Sequence, residues 1–341
     1  MKTIEEIKAE LNKDLVSTKG KRTSSVTKAV DAIQKAVIDV VIGDGLDEIL
    51  SSIKPELDKK IIEIYGKLPE VHIIKTSTDT TRVEGTTHEK FDRVLQLVSA
   101  DIPVFLTGEA GTGKNVICKQ VAEALKLDFY FTNAVTQEYK LTGFIDASGK
   151  YQKTQFYDAF TKGGVFFLDE IDASIPEVLV ILNAAIANRY FDFPIGRIEA
   201  HKDFRVIAAG NTNGKGADNN YTGRYCIDAA SLDRFALINI DYSEKIELNI
   251  CENNQELVNF AHKFRQATHD CGVECLFSYR SIIRIHEMEK LEIPLYEVLN
   301  IAVFKGMSED DRNIIVEGLQ RAGMDTNSKY YKACKGPNFQ M

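Results

Sequence analysis

From Ile102 onward the chain alternates between short apolar runs and longer stretches in which apolar residues recur at helical spacing. The runs are "IPVFL" (102–106), "DFYFT" (128–132), "VFFLD" (165–169), "FRVIAA" (204–209) and "FALINI" (235–240). Four are nearly all apolar, as parallel strands covered on both faces should be; a sheet with one wet face would alternate. Between them, Ile117, Val121, Ala124 and Leu125, and then Val178, Ile181, Leu182, Ala185 and Ile186, fall on one side of a helix. The pattern predicts an α/β layered core.

The flanks differ. Upstream, "VHIIKTSTDTTRVEG" reads as two strands about a polar turn, followed by a helix carrying Phe91, Val94, Leu95 and Val98, with Thr86 and Glu89 at capping-box spacing. Residues 1 to 68 look helical, broken at "STKGKRTSS" and "IGDGLDE", with Val26, Ala29, Val30, Ile33, Val37, Val40 and Val41 forming an apolar face. The basic cluster Lys19, Lys21 and Arg22 fits either a solvated loop or an acidic partner. From Glu244 strands cease and four helical stretches follow, which marks a second subdomain. The expected division is an N-terminal helical, partner-binding region (1–68), an α/β core (69–243) entered through a hairpin over 71–85, a helical subdomain (244–325) and a loosely ordered tail (326–341). No internal repeat or low-complexity segment interrupts it.

Composition narrows the function more than the fold. Of 341 residues, 44% are hydrophobic and 27% charged, a soluble globular balance, and the net charge of -8 argues against a surface broadly built to neutralise nucleic-acid phosphates. A local basic groove stays compatible with that total. Only Cys271 and Cys275 of the six cysteines lie close together, and a zinc site needs four ligands, so no metal site is expected there. The start, "MKTIEEIKAEL", lacks the apolar segment of a signal peptide, and no apolar run is long enough to cross a bilayer. The expectation is a cytoplasmic protein with reduced thiols and no membrane partner.

Three strand ends carry the candidate chemistry. "GEAGTGKN" (Gly108, Glu109, Ala110, Gly111, Thr112, Gly113, Lys114, Asn115) follows the first core strand and opens a helix, one residue away from the phosphate-loop pattern G-x-x-x-x-G-K-S/T. Its glycines let backbone N–H groups wrap phosphates, and Lys114 reaches the terminal ones. About 55 residues on, "GGVFFLDEID" ends a buried strand in Asp169, suited to magnesium, and Glu170, suited to polarising a water. "FRVIAAGNTNG" presents Asn211, with Asn213 less favoured, to the terminal phosphate or the water. Open α/β sheets bind ligands along this carboxyl edge. Arg234 in "SLDRF" and Arg280 in "FSYRSIIRI" fit either surface arginines or groups that stabilise phosphoryl transfer.

The series "GEAGTGKN", "FFLDEID", "FRVIAAGNTNG", "SLDRF" and "SYRSI" resembles the AAA+ ATPases, in the branch with MoxR, the cobaltochelatase ATPase subunits and the dynein and midasin modules. The segment "FYFTNAVTQEYKLTGFIDASGKY" with its asparagine-bearing loop is further similar to AAA+ ATPases of bacteriophages and prophages. The resemblance runs from about Val71 to Gly323. It implies a three-layer αβα core with a five-stranded parallel sheet of order 5-1-4-3-2, a helical lid, and a homo-oligomeric, usually hexameric ring with ATP and Mg2+ at subunit interfaces. By the same resemblance Lys114 binds phosphate, Asp169 and Asn115 hold the metal, Glu170 activates water, Asn211 is sensor 1, Arg234 the finger given to a neighbour, and Arg280 the lid's sensor 2. Hydrolysis would then remodel a macromolecular partner; related rings often act with proteins bearing a von Willebrand A domain. ATP rather than GTP follows from the family's habit alone.

Thr142–Gln155 resembles the helix-2 insert of that branch and Arg189–Phe204 the hairpin before sensor 1, which makes Phe144, Tyr151 and Lys153 candidates for substrate contact or for packing a neighbouring subunit. Asn115 stands where a magnesium-ligating hydroxyl is usual. Its amide oxygen is a hard neutral donor carried one bond further out, compatible with binding in a shifted geometry, and the presence of Glu170, Asn211, Arg234 and Arg280 leads to the expectation that hydrolysis persists. The alternatives are a nucleotide-gated scaffold with little or no hydrolysis, and a nucleic-acid motor with a basic pore.

Overall fold

The computed structural model describes residues 71–75, 80–217 and 221–336. The chain divides into two compact units, Met1–Pro69 and Glu70–Met341, and every described residue lies in the second. The helices expected over residues 1 to 68 and the cluster Lys19, Lys21, Arg22 lie outside the described residues.

Strands β1 (Val71–Lys75) and β2 (Thr80–Glu84) form an antiparallel hairpin with Val71 opposite Glu84. Helix α1 (Phe91–Ser99) leads to β3 (Val104–Thr107), α2 (Lys114–Leu125) and β4 (Phe129–Thr132). A short helix α3 (Tyr139–Thr142), the ribbon β5 (Phe144–Ile145) and β6 (Tyr151–Gln152), and α4 (Gln155–Lys162) bring the chain to β7 (Gly164–Leu168). Helix α5 (Pro176–Asn188), the ribbon β8 (Tyr190–Phe193) and β9 (Gly196–Glu199), β10 (Phe204–Ala209), α6 (Ala229–Leu232) and β11 (Ala236–Asn239) complete the core.

The five core strands pair only in parallel, in the order β11-β3-β10-β7-β4. With the hairpin and ribbons left out of the count this reads 5-1-4-3-2, the order the resemblance implies. Each strand feeds both layers. Val104, Leu106, Val165, Phe167, Ile207 and Ala209 pack under α1 and α2, whereas Phe105, Phe166, Leu168, Val206 and Ala208 pack under α4 and α5. Burial on both sides is why the runs show no alternation. On the second side the rings of Phe160, Phe166, Phe191, Phe193 and Phe204 lie 5.1 to 6.1 Å from that of Phe156, which fastens the β8–β9 ribbon to the sheet.

The remainder is a helical lid of α7 (Glu244–Ile250), α8 (Gln255–Cys271), α9 (Tyr279–Lys290), α10 (Leu295–Leu299) running into a π turn over Asn300–Phe304, α11 (Glu309–Arg321) and α12 (Lys329–Cys334). Leu257, Phe260, Phe264, Phe277, Ile282, Ile285, Leu299 and Ile315 form its core. Helix α12 replaces the loose order expected of the 326–341 tail over Lys329–Cys334; residues 337–341 lie outside the described residues. Tyr330, Tyr331 and Cys334 are buried in the lid, Tyr330 stacks on Phe260 at 5.2 Å and 9°, and Arg312 donates to the Cys334 carbonyl at 2.6 Å. A six-residue helix is too short to show a period or to stand by itself, so its stability comes from this packing.

A second correction concerns the entry to α1. Thr86 and Glu89 make no capping box there: His88 Nδ1 accepts the N–H of Lys90 at 3.0 Å, while Glu89 accepts from the Ser243 hydroxyl and Thr86 from the Asn249 amide. The side chains that match the local motif have partners in the lid, about 150 residues away, and tie the two subdomains together.

Candidate functional site

The phosphate-loop sequence turns between β3 and α2 through conformations that exclude a side chain at two points. Gly108 has φ +133°, and a Cβ there would meet the Ile240 carbonyl oxygen at 2.2 Å; Gly111 has φ +81°, and a Cβ would lie 2.7 Å from Cβ of Ser278 in the lid. The loop therefore touches the end of β11 on one side and the lid on the other. Lys114 and Asn115 open α2 with their amides at the positive end of the helix, whereas the Val116 N–H already donates to the Gly113 carbonyl at 2.9 Å.

Lys114 is curled into its own loop. Its Nζ donates to the carbonyls of Gly108 (2.7 Å) and Glu109 (2.9 Å) and to Asn211 Oδ1 (3.1 Å). Burial pushes this ammonium down to about 8, against an upward pull from Asp169 and Asp172 and a further downward push from Arg280 and Arg224. Its three hydrogen-bond partners are neutral atoms, none of them a carboxylate.

Asn115 Nδ2 donates to Asp169 Oδ2 at 2.8 Å, and the Glu170 N–H donates to Asp169 Oδ1 at 3.0 Å. The residue in place of the usual hydroxyl is thus tied to the strand-end aspartate through its amide nitrogen, and its Oδ1 takes no part in that contact. Glu170 follows β7 with φ 52°, a left-handed conformation for a residue with a Cβ.

Around these residues lies a cleft of about 410 Å3, within the range of small-molecule sites. Its phosphate end is lined by Gly111, Thr112, Gly113, Lys114, Asn115, Asp169, Glu170 and Asn211. Its other end is lined by Thr86, His88, Gln120, Ile246, Asn249 and Ile250, and the lid adds Tyr279, Arg280 and Ile283. The structure therefore brings together Lys114, Asn115, Asp169, Glu170, Asn211 and Arg280. Arg234 lies outside the lining and donates to the Ala230 carbonyl; Asn213 is exposed and also outside it. Of the ribbon residues, Phe144 is exposed, Tyr151 turns in to donate to the Thr142 carbonyl at 2.6 Å, and Lys153 pairs with Asp158 at 3.2 Å.

Among the described residues no group of three or more His, Cys, Asp or Glu is placed to hold a metal by itself. A magnesium ion that keeps waters and phosphate oxygens needs only one or two protein oxygens, which Asp169 and Asn115 supply. The donor set fits that ion.

Three residues without an assigned role in the motif reading help build the site. Asp172 is fully buried, and its Oδ2 accepts from Asn211 N, Thr212 N and Thr212 Oγ1, each at 2.9 Å. It aims the end of β10, and with it Asn211, at the loop. Arg224 lies 3.3 Å from Asp172 Oδ1 and 3.5 Å from Glu170 Oε1. Tyr221 accepts the Ala110 N–H at 2.9 Å. Asp172 ends the acidic run "DEID", a local signal for it, whereas Tyr221 and Arg224 sit in a stretch with no motif.

The lid grips the loop through tyrosines. Tyr242 donates to the Ala110 carbonyl at 3.0 Å and meets Tyr279 edge-on at 5.2 Å; the Arg265 guanidinium lies 3.9 Å from the centre of the Tyr242 ring. Tyr279 accepts the Ser243 N–H at 2.6 Å, and burial pushes its hydroxyl up to about 12.

A parallel α/β sheet with a phosphate-type loop after β3 and an acidic pair after β7, the two strands flanking β10, defines a nucleotide-site architecture. The family model for the AAA domain (dynein-related subfamily) matches residues 103–235. An uncharacterised protein of Staphylococcus epidermidis (strain ATCC 12228) is 25% identical over 247 residues, 65% of this chain and 90% of that protein. An uncharacterised protein of Staphylococcus aureus (strain USA300) is 28% identical over 153 residues, 41% of this chain, and this chain spans 55% of its length. Among solved structures, a RuvB variant of Thermotoga maritima superposes with TM-score 0.44 at 18% identity, covering 72% of this chain and 85% of that one. NtrX from Brucella abortus in complex with ATP gives 0.40 at 14%, covering 83% and 71%. Among the described residues no helix is long and apolar enough to cross a membrane.

Proposed function

We propose that this protein is a magnesium-dependent ATPase that assembles into a ring, usually a hexamer in this class, and uses hydrolysis to remodel a macromolecular partner. The observation that carries the reading is the convergence of Lys114, Asn115, Asp169, Glu170, Asn211 and Arg280 on one cleft. On this reading Lys114 and the amides of α2 hold the phosphates, Asn211 orients the terminal phosphate or the attacking water, and Glu170 accepts that water's proton. Asp169 and Asn115 would hold a magnesium ion, which would supply charge neutralisation. Arg280 carries lid closure to the phosphates. The position of Arg234 outside its own cleft supports its use as a finger in a neighbouring copy's site, where such groups contribute about 10^3- to 10^5-fold.

The motif resemblance to the MoxR and dynein-midasin branch and to bacteriophage ATPases supports a partner with a von Willebrand A domain or an equivalent adaptor, with residues 1–68 as its docking region. Exposed Phe144 supports the β5–β6 ribbon as a substrate contact. A cytoplasmic location goes with this reading.

The bond between Asn115 and Asp169 also favours a second reading, a nucleotide-gated scaffold, because it draws one oxygen of the candidate metal carboxylate into an amide contact. Steady-state ATP hydrolysis with magnesium, measured across protein concentrations, separates the two. The ATPase reading expects a specific rate that rises with concentration and falls by at least about 100-fold in Lys114→Ala and in Glu170→Gln, the latter still binding ATP. No turnover in the native chain together with turnover in Asn115→Thr establishes the scaffold. Salt-sensitive stimulation by DNA would instead support a nucleic-acid motor.

A further inference from the structure

The segment after Asn211 is fastened to the cleft at two points three residues apart. Tyr221 holds the Ala110 N–H in the phosphate loop, and Arg224 reaches two carboxylates, Asp172 through Nη1 at 3.3 Å and Glu170 through Nη2 at 3.5 Å. The two carboxylates are unlike. Asp172 is 0% exposed and anchored by the backbone of Asn211 and Thr212, and its own carbonyl accepts from Tyr225 N at 2.7 Å. Glu170 is 41% exposed at the edge of the cleft, on a left-handed backbone that a residue with a Cβ keeps only when its surroundings enforce it. Arg224, itself 12% exposed, is thus planted on a buried carboxylate and offers its second nitrogen to a half-exposed one.

We infer that Arg224 is the positioning residue of Glu170: by bridging it to Asp172 it holds the carboxylate at the phosphate end of the cleft, where an attacking water would be activated. The inference rests on the ATPase reading of this site. Arg224 acts through Glu170. A planar guanidinium can bridge two carboxylates at once, and a lysine ammonium, a point charge on a flexible stem, serves one of them. Neutralising the buried Asp172 needs only charge, whereas holding Glu170 needs the fork, so the two roles of Arg224 separate by substitution.

The test uses the full chain with Arg224→Lys and Arg224→Ala, reading kcat for ATP hydrolysis, the Kd of a fluorescent ATP analogue, and the melting temperature. Arg224→Lys is expected to melt like the native chain and bind nucleotide within about threefold, yet to lose kcat on the order of 10- to 100-fold. Arg224→Ala is expected to lose as much kcat and to melt lower as well, because Asp172 loses its counter-charge. If Arg224→Ala does not fold, the lysine variant decides. Native turnover in Arg224→Lys overturns the inference while leaving the ATPase reading intact. A parallel loss of affinity and kcat also overturns it, by making Arg224 part of the binding site. A native chain that binds ATP without turnover overturns the ATPase reading first, and the positioning role with it.

Discussion

The core and the lid each bury one carboxylate completely and pair it with one arginine, but they secure it by different means. Asp172 in the core accepts from two backbone amides and a hydroxyl before Arg224 is added. Glu247 in the lid, also 0% exposed, relies on side chains, with Arg265 on one oxygen and His262 Nε2 at 2.5 Å from the other. A carboxylate held by main chain is part of the scaffold, whereas one held by side chains depends on their rotamers. Both arginines then lead to the cleft, Arg224 to Glu170 and Arg265 through the Tyr242 ring to the Ala110 carbonyl. The core route ends on the residue proposed for chemistry, and the lid route ends on the loop proposed for binding.

Arg265→Ala should have the largest effect. It leaves Glu247 with His262 as its remaining side-chain partner and is expected to cost about 3 to 5 kcal/mol, read by urea unfolding, with the lid losing structure first. A loss below about 1 kcal/mol would erase the contrast between the two carboxylates.

Lys114 sharpens the comparison, because it is a buried charge whose hydrogen bonds all go to neutral atoms. Burial sets its pKa near 8 in the folded chain, below the usual lysine value. The folded chain therefore disfavours the proton: stability is lowest below pH 8 and rises between pH 8 and the unfolded lysine value. Bound phosphates favour the proton, so nucleotide affinity should fall above pH 8, by up to about tenfold per pH unit, and Lys114→Ala should bind weakly without that slope. Titration calorimetry in buffers of different ionisation enthalpy measures the proton uptake directly, and affinity independent of pH would break the argument. The smallest effect is expected from Tyr242→Phe, which keeps the ring under Arg265 and removes one hydrogen bond to the loop, costing about 1 kcal/mol in lid docking by hydrogen exchange.

What was legible in the sequence follows the same division. The five strand runs, their helices and the loop from Gly108 to Asn115 are local patterns, and the structure places Lys114, Asn115, Asp169, Glu170, Asn211 and Arg280 around one cleft. Arg224 was not legible because its meaning depends on carboxylates 52 and 54 residues away. Glu247, Arg265 and Tyr242 read as ordinary residues of amphipathic helices and their approach for the same reason. Thr86 and Glu89 show the converse error, a local motif whose side chains were committed to the lid. Helix α12 is not legible because six residues carry no period, although the adjacent tyrosines Tyr330 and Tyr331 and the nearby Cys334 hint at burial.

The place of α12 in the lid also bears on how the protein is made. Tyr330 and Tyr331 complete a hydrophobic core begun by Leu257 and Phe260, so that core closes only after Cys334 has been synthesised, whereas all five sheet strands have been made by Asn239. During translation the α/β layer is thus ready to fold while the lid still exposes its aromatic face. A growing chain would therefore display a phosphate loop before the lid surface that embraces it is finished, and chaperone capture should be greatest in that interval.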